Sequence, residues 1–242
     1  MKRATKNSRW IASVAVVVVS ALWLCACTGP TLVDRSEGCV DNQSGVTYVH
    51  ASACYEPVAL GDKHGSLQVG DKITYALHEI KGMDPLKWLA TKEGDVLYAK
   101  DMALPTLTQM KPVAIRVCMD ASTVVEACRL DDVAVVQSVA EQYENGVSVT
   151  RPTETAPVRY TVRFCSETYA GLYYTLTYLE YVSAVEENGV NYGHYFLYDR
   201  MQGRFVAVDD TIHRLINGEW SDVTETDTAT AETVWEPETA AS

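Results

Sequence analysis

Two neighbouring stretches in the second half of the chain alternate apolar and polar side chains, and they constrain the fold most. From Arg159 to Cys165, Tyr160, Val162 and Phe164 oppose Arg159, Thr161 and Arg163. From Leu172 to Val182, Leu172, Tyr174, Leu176 and Tyr178 oppose Tyr173, Thr175, Thr177 and Tyr181. Successive side chains of a strand leave opposite faces, so each stretch demands a sheet with one face covered. Asn188-Gly189 then gives a two-residue hairpin signal, because both residue types tolerate positive φ. Tyr192 to Asp199 returns, Gln202-Gly203 turns, and Arg204 to Val208 continues.

Upstream, Val113 to Cys118 is a strand, and Val124 to Arg129 returns beside it. Asp131 suits a helix N-cap, since its carboxylate can accept from orphan N–H groups. Val135, Val136, Val139, Ala140 and Tyr143 follow at helical spacing, and Asn145-Gly146 supplies a stop. The spacing predicts an amphipathic helix over 132–144.

Residues 45–110 are β-rich. Ile73, Tyr75 and Leu77 oppose Lys72, Thr74 and His78, and Gly82 and Asp84-Pro85 break the pattern. Leu86 to Ala90 reads as one helical turn carrying Trp88, and Val96 to Tyr98 as a short strand. Pro105 and Pro112 bracket a loop that sets the boundary between halves. The expectation is an α+β fold: an antiparallel β-meander over residues 111–218 packed on one amphipathic helix, preceded by a smaller β-rich region. That element order is shared by cystatin-like and nuclear-transport-factor-2-like folds.

The ends differ in kind from this body. Residues 219–242 hold seven acidic side chains, no Lys or Arg, and many Thr and Ala. Such a segment buries too little apolar surface to offset its ordering entropy, so a disordered acidic tail is expected, with Trp220 and Trp235 as stray aromatics. At the other end, Lys2, Arg3, Lys6 and Arg9 precede an uncharged apolar run from Ile11 to Leu24. A membrane-spanning helix needs about 20 apolar residues. This run is shorter and matches the apolar core of a signal peptide.

The run ends in Leu24-Cys25-Ala26-Cys27, which resembles the lipobox of bacterial lipoproteins. The resemblance covers the first 27 residues and speaks of anchoring alone. It implies a signal peptide over residues 1–26, cleavage before Cys27, and diacylglycerol with palmitate-type chains on the Cys27 thiol. Cys25 fits poorly as acceptor because bulky Leu24 precedes it. Two acyl chains anchor stably where one is marginal. The implied location is the extracytoplasmic face of the cell membrane, with residues 27–44 as a polar tether.

Cleavage would remove four of the 20 basic residues and none of the 32 acidic ones, leaving a formal charge of −16. A nucleic-acid partner is disfavoured, because a polyanion would be repelled. Outside the membrane, disulfides are permitted. Cys39, Cys54, Cys118, Cys128 and Cys165 would remain, and five thiols do not fix a connectivity. Proximity favours Cys39–Cys54 and Cys118–Cys128, with Cys165 as a buried spare thiol.

No catalytic, phosphate-binding or metal-binding motif stands out, so neither cofactor nor metal is expected. Asp209-Asp210 before His213 fits a helix N-cap better than an ion site. Nine of the 14 tyrosines lie between 160 and 198. Tyr offers contact area at low entropy cost with a polar tip, so Tyr173, Thr175, Thr177 and Tyr181 form a candidate recognition face for an envelope protein, peptide or glycan. The expected function is non-catalytic binding or adaptation at the envelope. The alternative is a small hydrolase using Ser166 and His194, with Asp199 or Asp209 orienting the imidazole.

Overall fold

The computed structural model describes residues 29–219 except 36, 71–72 and 120–124. The lipobox, the signal peptide, Cys27, and the tail from Trp220 onward with Trp235 lie outside the described residues. No described helix is long and apolar enough to cross a membrane.

The first strands are β1 (Thr31–Arg35), β2 (Gly38–Val40), β3 (Thr47–His50) and β4 (Tyr55–Pro57). After them come β5 (Leu60–Val69), β6 (Ile73–Ile80), β7 (Trp88–Thr91) and β8 (Val96–Ala99). All but β4 close into a seven-stranded barrel in the order β1-β2-β3-β8-β7-β6-β5. Its neighbours are antiparallel except at the closing seam, where β1 runs parallel to β5 through Thr31↔Ser66, Leu32↔Leu67 and Val33↔Gln68. Leu32, Cys39, Tyr48, Leu67, Leu77, Leu89 and Leu97 fill the interior, so the barrel is a packed core and not a pore.

The second sheet comprises β9 (Pro112–Met119), β10 (Val125–Leu130), β11 (Val158–Ser166), β12 (Leu172–Glu180), β15 (Tyr195–Asp199) and β16 (Arg204–Ala207). Between them, β13 (Glu186–Glu187) and β14 (Val190–Asn191) form a separate small ribbon with Asn188-Gly189 at its tip, both at positive φ. The large sheet runs β10-β9-β11-β12-β15-β16, and β4 adds to β12 beside β15. Among the described residues, two helices complete the fold, α1 (Val133–Asn145) and α2 (Thr211–Ile216).

This architecture corrects the α+β expectation. The chain is mostly β, and a closed barrel takes the place of the smaller β-rich region. The sheet is not a meander wrapped on one helix. Its inner face, with Ile115, Val117, Val162, Phe164, Leu176 and Tyr178, packs on α1 and also on the barrel's outer wall through Ile80, Trp88, Ala90 and Val96. One core therefore spans the boundary placed at residue 110, and β4 crosses it physically.

Three local expectations change with it. The tether over 27–44 supplies β1 and β2, whose alternation is masked by Asp34 and Gly38. The helical turn at Leu86 to Ala90 gives way to β7, in which every residue is buried. Leu89 faces the barrel interior while Trp88 and Ala90 face the shared core, so no polar alternation survives to betray a strand. The α1 cap shifts by one residue. Asp132 accepts from the amides of Ala134 and Val135 at 3.0 and 3.2 Å, while Asp131 is drawn to Arg129 Nε at 2.7 Å. At the other end of α1, Arg204 donates to the carbonyls of Tyr143 and Glu144 at 2.8 and 2.7 Å, a cation where the helix dipole favours one.

All five described cysteines are free thiols. Cys39 lies inside the barrel and Cys54 in the shared core, so the first proposed pair is split between two cores. In the second, a bulge in β10 pairs Cys128 with Val117, while Glu126 faces Cys118. The two thiols thus leave opposite faces of the sheet and do not meet.

The seam depends on close backbone approach. Ser66 donates its N–H to the Pro30 carbonyl at 3.0 Å, and a Cβ on Gly65 would collide with that same carbonyl oxygen. Gly65→Ala should therefore destabilise the protein by about 1–3 kcal/mol, as overpacking does. Urea unfolding measures this, and an unchanged midpoint would contradict the seam geometry.

Candidate binding face

The outer face of the large sheet carries three of the four residues proposed for recognition. Strand register aligns them in rungs. Ala114, Cys165, Tyr173 and Glu56 form one rung across β9, β11, β12 and β4. Arg116, Arg163 and Thr175 form the next, with Arg129 of β10 opposite Arg116. Cys118, Thr161, Thr177 and Tyr198 form the third. Tyr173, Thr175 and Thr177 are each partly exposed.

Arginines, not tyrosines, organise this surface. Arg163 grips Glu56 through two guanidinium nitrogens, with Nε to Oε2 at 2.8 Å. Thr175 Oγ1 donates to the same Oε2 at 3.2 Å. Two guanidiniums approach the Tyr173 ring, with Arg163 Cζ at 5.4 Å and Arg116 Cζ at 5.9 Å from its centroid. Arg116 Nη1 also donates to the Tyr173 hydroxyl at 3.3 Å. Arg116 faces Glu126 at 3.5 Å, and Arg129 holds Asp131. Each of these arginines has a carboxylate beside it, so the patch is close to neutral and its charge selects no polyanion. Arg163 was visible in the alternation, but its carboxylate partner comes from β4 and left no signal.

Tyr181 is not part of this face. It is 2% exposed and packs edge-on against Phe196 and Phe205. Its parity along β12 is the expected one. The chain segments holding Val149, Ala156 and Val185 cover that end of the sheet and form a second small core there.

Ser166 and His194 are kept apart. Ser166 Oγ is buried, donates to the Met110 carbonyl at 2.5 Å and accepts from the Tyr169 amide. His194 Nδ1 lies 3.0 Å from the Tyr181 carbonyl oxygen. These positions flank β12 from Tyr173 to Tyr181, a separation of about 26 Å at strand rise. A catalytic pair needs about 3 Å. Asp199 is buried in the β15–β16 turn, where it accepts from the amides of Met201 and Gln202. Asp209 binds Gln142 and the Thr211 amide, whereas His213 turns to Glu180 at 3.1 Å. The acidic pair and His213 thus share no centre, and the Asp210 side chain makes no cap bond.

The Cys165 thiol, on the outer face, is held above its usual range by burial, against the opposing pull of Arg116 and Arg129. It is a poor nucleophile there.

No protein-family model, curated protein or solved structure matches this chain.

The Arg163–Glu56 pair joins β4 to the sheet and fixes the ring stack on Tyr173. Glu56→Gln should cost about 1–3 kcal/mol, because Arg163 is largely buried and loses its charged acceptor. Combining it with Arg163→Met should recover part of that loss. Equilibrium unfolding of both variants checks this, and purely additive losses would contradict the coupling.

Proposed function

We propose that this protein is a lipid-anchored, extracytoplasmic binding or adaptor protein of the bacterial cell envelope that performs no catalysis. The anchoring part of the reading rests on Leu24-Cys25-Ala26-Cys27 behind a basic and then an apolar segment. The binding part rests on one observation, the partly exposed Tyr173 ring held by the neighbouring guanidiniums of Arg116 and Arg163. An aromatic ring fixed in this way meets a partner with little further loss of entropy. The neighbouring Thr175 and Thr177 hydroxyls and the balanced charges favour a neutral polar partner, such as a peptide or glycan, over a polyanion. The separation of Ser166 from His194 weighs against the hydrolase that would use that pair.

Lipid on Cys27 would place the barrel at the membrane surface. Three residues lie between Cys27 and the start of β1 at Thr31, and the four Cα-to-Cα steps of an extended chain cover at most about 14 Å. With a formal charge of −16, the body would not be drawn to anionic lipid, so the acyl chains would have to hold it.

Two variants test the reading. Cys27→Ser should leave an unprocessed precursor that takes up no labelled fatty acid; normal processing and labelling would overturn the anchor. Tyr173→Ala/Thr177→Ala should fold normally and lose at least about tenfold in binding to isolated cell-wall glycan or to envelope peptide, consistent with a central aromatic contact worth more than 1 kcal/mol. Undiminished binding by a folded double variant would overturn the face.

A further inference from the structure

The antiparallel pairing of β1, β2 and β3 brings together three side chains at one end of the barrel. Asp34 on β1, Cys39 on β2 and His50 at the end of β3 place a carboxylate oxygen, a thiol sulfur and an imidazole nitrogen within 4.8 Å of one another. The register explains why. Asp34 pairs with Cys39, Cys39 pairs with Tyr48, and His50 lies two residues beyond Tyr48 on the same face. All three therefore point inward at one mouth of the barrel, where the leucine layers end.

The donor set has the chemistry of a transition-metal site. Thiolate and imidazole together favour zinc-like borderline ions over calcium or magnesium, which prefer all-oxygen shells. Cys39 Sγ already lies 3.7 Å from Asp34 Oδ1. Two ligands on a tetrahedral zinc ion, with Zn–S near 2.3 Å and Zn–O near 2.0 Å, stand about 3.5 Å apart. Three protein ligands with one position left open is the pattern of sites that take a water or an exogenous group. His50, the exposed member of the three, also lines a cleft of about 680 Å³ with Ser52, Glu56, Lys92 and Asp95.

We propose that Asp34, Cys39 and His50 bind a divalent transition-metal ion, zinc or a zinc-like ion, at the mouth of the barrel. Binding breaks the Cys39 S–H bond, forms the metal–sulfur bond and releases the proton to solvent. The ion takes the place of the proton that Cys39 now directs at Asp34. A nucleophilic role for the same thiol fits less well. Cys39 is fully buried, and burial, with Asp34 beside it, pushes its pKa up to about 12.

The probe is Co(II) alone, titrated into the full chain in detergent with a non-thiol reductant, followed by Zn(II) displacement. A thiolate-to-cobalt charge-transfer band that saturates at one equivalent and is bleached by Zn(II) is the expected result. The band should vanish in Cys39→Ala and persist in Cys118→Ala. His50→Ala, a change at an exposed position that spares the barrel core, should weaken binding by at least about 100-fold, because losing a direct ligand should cost no less than losing an outer-shell partner that orients one. Absence of the band in the wild-type chain would overturn the site. So would a band that survives Cys39→Ala, or unchanged affinity in His50→Ala.

Discussion

Closure of the barrel by the parallel pairing of β1 with β5 is the constraint on which the rest of the structure depends. The seam is short, and it works because Gly29 and Gly65 let two backbones approach without a Cβ between them. Once shut, it gives Leu32, Leu67 and Leu77 an interior to fill, and it leaves Trp88, Ala90 and Val96 pointing out of the opposite side of the wall. That wall is half of the cover on the large sheet. The rest of the cover comes from α1 and from Ile212 and Leu215 of α2, and Tyr55 joins the two parts through its ring contacts with Trp88 and Tyr174.

The barrel half of the chain contributes to both candidate sites. At the mouth, the β1-β2-β3 pairing gathers three residues into one donor set. On the sheet, β4 pairs with β12, and its Glu56 reaches across to Arg163, whose guanidinium lies over Tyr173. The Tyr173 face is thus anchored by a strand from the barrel half of the chain. The proposed anchor at Cys27 would act just before β1, so membrane attachment and barrel closure would share the same few residues.

Local structure was largely legible in the sequence. The period of two in Arg159 to Cys165 and Leu172 to Val182, the 3.6 period expected behind Asp131 and the Asn188-Gly189 turn each correspond to an element in place, with the second strand ending at Glu180 and the cap at Asp132. What was not legible is pairing between distant segments. Nothing in Thr31 to Arg35 announces that its partner is Ser66 to Gln68, and β7 hides because both its faces are buried. The recognition face was legible in its parity, which placed Tyr173, Thr175 and Thr177 together. Tyr181 shares that parity, but a loop-borne core covers it. Asp34, Cys39 and His50 carry no motif spacing; their only trace is a polar side chain at an inward position on each of three short strands.

Native-state hydrogen exchange across β1 and β5 tests the seam most directly, because it reads whether these backbones are paired in solution. The account predicts that the Ser66 amide, which donates to Pro30, exchanges as slowly as the amides of β11 and β12. Exchange of the Ser66 amide and of β1 at the rate of an exposed loop, with β11 and β12 still protected, would contradict a closed barrel.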